Sequence, residues 1–266
     1  MRGDQVNVAA VGVGRWRSPV LWRFVLQVAR LLVFPVCRLR VSGDLPAQLR
    51  GGPVIVAVNH IGPFDPAAVC AAFATRHVAP RLMATGGLFR APLIGSFMRA
   101  CGHIRVNRRQ ADVAGAIDEV IVAVGQGSVV VGYPEGRITL DPGMWPERGR
   151  TGLARVALRT GVPVVPVAQW GAHEVLAWGG LRPSLARLAT AVFRRPVVRV
   201  RFGPPVDLTG IVEGTPGAAQ RATDRIMDAI VAELAALRVD EPRLPRYIDP
   251  VRPLSTARTH RRATGA

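Results

Sequence analysis

The chain has 266 residues, of which 49% are hydrophobic and 20% are charged, a balance that excludes a disordered protein or a coiled coil. All 35 basic residues are arginines, against 18 acidic residues, so the formal net charge is +17. A protein this basic prefers anionic partners, such as phospholipid surfaces, nucleic acid or phosphorylated metabolites. The three cysteines form no CxxC pair, which indicates neither a disulfide framework nor a zinc site.

The first predicted element is an apolar helix over residues 19–36. Arg23, Gln27 and Arg30 interrupt it at spacings of four and three, so the polar side chains share one stripe of the helix. Arginine in the middle of a bilayer is costly, and no small-residue cleavage site follows, which argues against a signal peptide. We predict a helix that lies in the interface of one membrane leaflet. The alternative is a buried core helix with a thin polar stripe.

Short apolar runs and helical periodicities alternate along the rest of the chain. Strands are predicted at residues 39–43, 53–58, 78–84, 103–106, 128–132, 162–167 and 197–202. Helices are predicted at residues 66–77, 92–101, 110–125, 150–160 and 217–238. This alternation predicts an α/β fold, a single domain with a mostly parallel central sheet flanked by helices. The last strand alternates apolar and charged residues, which is typical of an edge strand.

A histidine and an aspartate stand five positions apart directly after the apolar run 53–58. In Asn59-His60-Ile61-Gly62-Pro63-Phe64-Asp65-Pro66, the imidazole of His60 can accept a proton near neutral pH and the carboxylate of Asp65 can hold its tautomer. An Asp-Pro pair is also typical of a helix start, which gives Asp65 a structural alternative as a cap. Because no serine or cysteine stands beside the pair, we expect a hydroxyl of the substrate to be the attacking group.

Two further polar segments follow predicted strands. Residues 102–109 place Arg108 and Arg109 at a strand end, where guanidinium groups can bind phosphate, although solvated surface charge explains them equally well. Residues 133–139 (YPEGRIT) bring Glu135, Gly136 and Arg137 to another strand end, where an ordinary turn is the alternative. Ligands of open α/β sheets gather outside the carboxyl ends of the strands, so we expect these segments and the His60 loop to meet there.

Taken in this order, the motifs resemble those of the glycerolipid acyltransferase family, whose best-known members acylate lysophosphatidate (1-acyl-sn-glycerol-3-phosphate). That family has an NHxxxxD block, a Gly-x-Ile-x-Val-x-Arg block, a Phe-Pro-Glu-Gly block and an apolar strand ending in proline. The corresponding blocks here are residues 59–65, 102–108, 133–139 and 162–167. The resemblance implies an acyltransferase domain at 45–238, after an N-terminal segment, 1–44. Residues 239–266 are rich in proline and arginine, which predicts a flexible tail.

The resemblance also implies a reaction. A fatty acyl group would pass from acyl-CoA or acyl-carrier protein to the free hydroxyl of lysophosphatidate, giving phosphatidate, without a metal or other cofactor. His60 would be the general base and Asp65 its orienting partner, with Arg108, Glu135, Gly136 and Arg137 at the acceptor's phosphate and glycerol. The enzyme would work at the cytoplasmic face of the plasma membrane, as a peripheral or monotopic protein on an anionic surface. Arginines 17, 23, 30 and those from 182 to 201 are candidates for that contact.

Other interpretations remain open at this point. Arg137-Ile138-Thr139 stands where many family members have Thr-Arg-Ser, so the acceptor could be another lysophospholipid or a glycolipid. The high net charge alone would fit a nucleic-acid-binding protein, but aromatics are 6% of the chain and no recognition motif is present. The third alternative is an inactive member of the family that serves as a scaffold on a lipid surface. The presence of both His60 and Asp65 argues against it.

Overall fold

The computed structural model describes residues 16–106, 113–141, 143–177 and 180–239. The strands of this part of the chain are β1 (Arg38–Ser42), β2 (Val54–Val58), β3 (Arg81–Thr85), β4 (Ile104–Val106), β5 (Val129–Gly132), β6 (Val164–Trp170) and β7 (Val197–Phe202). The helices are α1 (Val20–Val36), α2 (Asp65–Thr75), α3 (Gly86–Arg90), α4 (Pro92–Ala100), α5 (Val113–Gly125), α6 (Gly152–Thr160), α7 (Leu181–Arg194) and α8 (Ala218–Leu237). Short 3-10 turns lie at Ala47–Leu49 and Ala172–Glu174.

The seven strands of the described residues form one sheet in the order β1-β7-β6-β2-β5-β3-β4. All neighbouring strands are parallel except β6 and β7, so the predicted single, mostly parallel sheet is confirmed. The prediction of β7 as an edge strand is wrong, because β1 pairs with its outer side from Arg38↔Val197 to Ser42↔Arg201. The N-terminal segment thus contributes a strand to the sheet.

The central strands are buried on both faces. Every residue of β2 and β5 is buried, as expected for parallel strands that carry helices on both sides. Ile55 and Ala57 of β2 face a cluster that includes apolar side chains of α5, α6 and α8. Val54, Val56 and Val58 face the opposite cluster, where α2 contributes Val69, Ala72 and Phe73. This sandwich fixes the carboxyl end of β2, where the His60 loop begins.

Two helices lie outside the predicted set. Residues 86–90, directly after β3, form the short helix α3, and α7 occupies a segment for which the sequence indicated only a run of arginines. Strand β6 also continues three residues beyond the predicted end, to Trp170. The tail predicted from residue 239 falls, apart from Val239, outside the described residues.

Helix α1 is confirmed as an element and packs on α2 and α7. Trp22, Leu26 and Val33 are its buried side chains, and the Trp22 indole donates a hydrogen bond of 2.8 Å to the carbonyl of Pro80. Among the described residues, no helix has the length and apolar character needed to cross a bilayer. The position of α1 in a membrane interface stays a prediction.

Candidate active site

The His60 and Asp65 side chains meet beyond the carboxyl end of β2. The Nδ1 atom of His60 lies 2.6 Å from the Oδ2 atom of Asp65. The same carboxylate oxygen accepts hydrogen bonds from the backbone amides of Ile61, at 2.6 Å, and Gly62, at 2.9 Å. The carboxylate is fully buried, whereas the His60 side chain keeps 16% of its surface exposed. The spacing of five residues therefore forms a histidine–carboxylate pair within one short loop.

The start of α2 explains how the loop is held. Asp65 is the first residue of α2 and precedes Pro66, which suits the first helical turn because proline lacks an amide hydrogen. Asp65 does not cap its own helix: the N-cap residue is Phe64, and the Asp65 carboxylate accepts amides that precede it. Burial raises the pKa of Asp65, while the hydrogen bonds from His60 and from the Gly62 and Ile61 amides lower it in part. The carboxylate thus binds both the backbone amides of the loop and the imidazole of His60.

The His60 ring is positioned from its face as well as from its edge. It stacks on the ring of Tyr133, with centroids 4.3 Å apart and an interplanar angle of 24°. Burial raises the pKa of the Tyr133 phenol well above its usual value, and the charge of Asp65 raises it further. Since Nδ1 is engaged by Asp65, Nε2 is the ring nitrogen left for a substrate.

The backbone of His60 is fixed by the third motif. Its amide donates a hydrogen bond of 2.9 Å to Oε1 of Glu135, and its carbonyl accepts one of 2.8 Å from the amide of Thr139. The other oxygen of Glu135 accepts the amide of Glu147 at 2.9 Å. The fully buried Glu135 carboxylate therefore joins the His60 loop to the segment 139–147. This differs from the expected contact with the acceptor, because both carboxylate oxygens face backbone amides inside the protein.

Gln169 is a site-supporting residue that sequence reasoning missed. Its amide donates to Oδ1 of Asn59 at 2.8 Å, and its side chain donates to the Asn59 carbonyl at 3.0 Å. The side-chain NH₂ group of Asn59 donates a hydrogen bond of 3.1 Å to the carbonyl of Gln169, and both side chains are fully buried. The signal was available, since Gln169 is a polar residue at the carboxyl end of an apolar strand, as is Asn59.

Gly136 and Arg137 lie in the turn that follows β5. Gly136 has φ +71°, a left-handed conformation that favours glycine, and its amide donates to the carbonyl of Tyr133 at 2.9 Å. A side chain at this position would also meet Arg150, whose Cδ and Nε atoms would lie 2.9 Å from a Cβ. Arg137 is half-buried and Arg150 is exposed, so the exposed Arg150 at this turn is a second residue that sequence reasoning missed. Arg108 falls outside the described residues.

The other histidine of the motifs has a structural environment. His103 is buried, its Nδ1 accepts the amide of Leu82 at 3.2 Å, and its ring meets the Trp22 ring edge-on with centroids 4.4 Å apart. Burial, with the charge of Arg81, lowers the pKa of His103 to about 4. His103 is therefore a neutral core residue next to α1.

No group of His, Cys, Asp or Glu in the described ranges is arranged to hold a metal ion. A cavity of about 800 Å³ opens at the amino edge of the sheet, where Gly51, Gly127 and Val129 line it together with Arg23 and His77. It lies at the opposite edge from His60. The chemistry available at the carboxyl edge is that of an imidazole held by a carboxylate, a general base for a hydroxyl.

The comparison with protein families agrees with this chemistry. The family model described as Acyltransferase matches residues 38–170, half of the chain. The chain therefore belongs to the acyltransferase family.

Comparison with individual proteins found one similar structure and several similar sequences. The 1-acyl-sn-glycerophosphate (LPA) acyltransferase of Thermotoga maritima has a similar structure, with a TM-score of 0.56, 20% identity and 81% of each chain covered. Uncharacterized proteins of Mycobacterium tuberculosis and Mycobacterium bovis are 32% identical over 146 residues, 52% of this chain. The chain matches 38% of the length of these curated relatives.

Proposed function

We propose that the protein transfers a fatty acyl group from acyl-CoA or acyl-carrier protein to the free hydroxyl of lysophosphatidate, giving phosphatidate. The observation that carries this proposal is the 2.6 Å contact between Nδ1 of His60 and the buried Asp65 carboxylate, which leaves Nε2 for the acceptor. The structural likeness to an enzyme named for 1-acyl-sn-glycerophosphate supports the choice of acceptor.

In the proposed mechanism, Nε2 of His60 removes the proton of the acceptor hydroxyl as its oxygen attacks the thioester carbonyl. Asp65 keeps the proton of the neutral imidazole on Nδ1 and stabilises the imidazolium that forms. The new C–O bond forms, the C–S bond breaks, and the imidazolium returns its proton to the leaving thiolate. The products are an ester and a free thiol, and the enzyme ends in its starting protonation state.

The remaining motif residues would bind the acceptor and support the base. Arg137 and Arg150 at the Gly136 turn, and Arg108 of the second block, would attract the phosphate, for which guanidinium geometry is well suited. Glu135 would act through the His60 backbone as a positioning residue. Backbone amides of these loops would hold the oxyanion.

The proposed location is the cytoplasmic face of the plasma membrane, to which the protein would bind as a peripheral or monotopic protein. Exposed Val20, Phe24 and Leu31 lie on one side of α1 at spacings of four and seven, away from its buried side. Arg23 and Arg30 flank this apolar side, as in helices that lie in a lipid interface. Both substrates are anionic and acyl-bearing, which fits a basic protein at such a surface.

The decisive experiment measures acyl transfer from labelled long-chain acyl-CoA to lysophosphatidate by purified protein in detergent. We expect product from the wild type and a loss of about 10³-fold or more in His60→Ala, because no other described group can replace the positioned base. Glu119→Gln on α5, away from the site, is the control. Undiminished activity in His60→Ala would contradict the mechanism.

A second acceptor class remains a candidate because the arginine of the third motif stands directly after Gly136 and a further arginine, Arg150, lies over that turn. This rearranged charge would suit another lysophospholipid or a phosphate-bearing glycolipid. The same assay with these acceptors separates the two: transfer to them without transfer to lysophosphatidate would keep the mechanism and change the substrate.

A further inference from the structure

Helix α7 has an exposed apolar face that nothing in the described structure covers. Only Ser184, Leu188 and Ala191 of this helix are shielded from solvent, whereas its remaining residues are exposed. Leu181, Leu185 and Val192 repeat at spacings of four and seven, the spacing of Val20, Phe24 and Leu31 on α1, and therefore share one side of the helix. Phe193, at the end of α7, is 88% exposed. Two helices of the same molecule thus present similar apolar faces.

The two helices are in contact, and hydrogen bonds join their carboxyl ends. Arg195, which caps α7, donates a hydrogen bond of 2.8 Å to the carbonyl of Phe34 and places its guanidinium 4.6 Å from the centroid of the Phe34 ring. Arg38 in turn donates to the carbonyl of Arg195 at 3.0 Å. The exposed Leu31, Leu32 and Phe34 of α1 therefore lie at the same end of this pair of helices as the exposed Val192 and Phe193 of α7.

This junction lies at the same edge of the sheet as His60. Strand β7 runs antiparallel to β6, and β1 runs parallel to β7, so both begin at the carboxyl edge of the central strands. The carboxyl ends of α1 and α7 immediately precede those two strands. The ends of α1 and α7 therefore flank the edge of the sheet where the base is found.

The charge on the two helices is of one sign. Neither α1 nor α7 contains an aspartate or a glutamate, and both contain arginines, which are exposed: Arg23, Arg30, Arg182, Arg187 and Arg194. A second copy of the chain would bring arginines against arginines on this surface, which is unfavourable. An anionic lipid surface accepts both the apolar side chains and the guanidinium groups.

We propose that α7 and the carboxyl-terminal half of α1 form one docking surface for anionic phospholipid, beside the His60 site. The surface consists of Leu31, Leu32, Phe34, Leu185, Val192 and Phe193, with Arg30, Arg187 and Arg194 at its border. It deepens the proposed function by adding α7 to the membrane contact, and it would let an acyl-bearing acceptor reach the base from the lipid phase without crossing bulk water. It rests on the proposed function only for that last step.

The test is sedimentation of the full chain with vesicles of phosphatidylglycerol and phosphatidylcholine that carry no acceptor or donor. We expect Val192→Glu/Phe193→Glu to lower vesicle partition by about tenfold or more, because a charge replaces apolar contact and anionic lipid repels it. The matched control is Val122→Glu/Val212→Glu, two valines each 59% exposed on other surfaces, which should bind as the wild type does. Thermal unfolding of each variant verifies its fold.

A second pair tests the charge. Arg187→Gln/Arg194→Gln should weaken binding to the mixed vesicles by about tenfold, against Arg155→Gln on α6 as control, and should bind pure phosphatidylcholine as weakly as the wild type. Equal partition of wild type and Val192→Glu/Phe193→Glu would overturn the proposal. The proposal would also be overturned if Val192→Glu/Phe193→Glu kept its vesicle partition but lost a dimer that light scattering detects in the wild type. That result would identify this surface as a contact between two copies of the chain. Vesicle partition is measured without acyl transfer. If the protein binds vesicles but transfers no acyl group, the proposed function is contradicted and the docking surface is not.

Discussion

Two histidines that look alike in the sequence have opposite environments in the fold. His60 and His103 each adjoin a strand, and each ring contacts an aromatic ring, Tyr133 and Trp22 respectively. The Nδ1 atom of His60 faces a carboxylate, which requires a proton on that nitrogen. The Nδ1 atom of His103 faces the amide of Leu82, which requires a lone pair there.

This difference explains why only one of them is suited to be a base. A carboxylate partner directs the free lone pair to Nε2 and stabilises the protonated ring, whereas an amide partner and burial favour the neutral ring. Burial and Arg81 lower the pKa of His103 to about 4, so it stays uncharged at neutral pH. The partner of Nδ1, rather than the presence of histidine in a motif, separates a candidate catalyst from a core residue.

Asp65→Asn is the sharpest way to break this distinction. The asparagine oxygen can still accept the amides of Ile61 and Gly62, so the loop is expected to fold. The same oxygen would then accept the Nδ1 proton of His60, because Oδ2 alone makes all three contacts in the wild type, so the tautomer is kept and the negative charge that stabilises the imidazolium is lost. We expect kcat to fall by about 10²- to 10³-fold.

Steady-state acyl transfer, with thermal unfolding to verify the fold, measures this effect. Asp44→Asn, which alters partly exposed ion pairs with Arg50 and Arg76 away from the site, is the control and should keep wild-type activity. A loss of less than tenfold in Asp65→Asn would show that the charge of the carboxylate does not stabilise the imidazolium.

The pH dependence of stability should report His103. Its folded-state pKa of about 4 lies below its ordinary value of 6.5, so the unfolded chain binds the proton first as the pH falls. The stability is fully present above pH 6.5 and is lost as the pH falls toward 4, by on the order of 3 kcal/mol.

Urea unfolding at pH 7 and pH 4.5 tests this contribution. His103→Gln removes the titrating group but keeps an oxygen that can accept the Leu82 amide. The pH-dependent loss of stability should therefore be smaller in this variant than in the wild type, while carboxylates contribute to both. Parallel stability curves for the two proteins would contradict the assignment.

His103→Leu should separate stability from catalysis. It leaves the Leu82 amide without its buried acceptor, which costs about 1–3 kcal/mol of the free energy of unfolding. Because the ring lies against Trp22 rather than at the His60 loop, kcat should stay within about twofold of the wild type at a temperature where both are folded. A large fall in kcat with unchanged stability would place His103 in the reaction.

Much of the fold follows from local sequence patterns, and the exceptions are long-range contacts. The fully apolar runs of β2 and β5 and the periodicity of α8 identify these elements. The edge assignment of β7 failed because its alternation reflects one exposed face, and the outer neighbour β1 lies about 160 residues away in the chain. Helix α7 was missed although Leu181, Leu185 and Val192 repeat at helical spacing, because its arginines were interpreted as a charged surface run.

The site divides in the same way. His60 and Asp65 could be predicted as a pair because both lie in one loop, between a strand and a proline that starts a helix. The role of Glu135 could not, because the amides of His60 and Glu147, which it accepts, are backbone groups that only the tertiary fold brings to it. Gln169 was predictable from its position at a strand end, but its pairing with Asn59, 110 residues away, was not.

Tyr133→Phe is the smallest change that tests how His60 is held. The phenol has a pKa well above its usual value because of burial and the charge of Asp65, so it stays neutral and is not a base. Phenylalanine keeps the ring that stacks at 4.3 Å on the imidazole, and kcat should stay within about threefold. Tyr133→Ala removes that face and should lower kcat by about tenfold, since such ring pairs contribute about 0.5–1.5 kcal/mol beyond area burial. If Tyr133→Phe lowers kcat as much as Tyr133→Ala does, the hydroxyl rather than the stacked ring acts in the site. The stacking contact would then not explain how His60 is held.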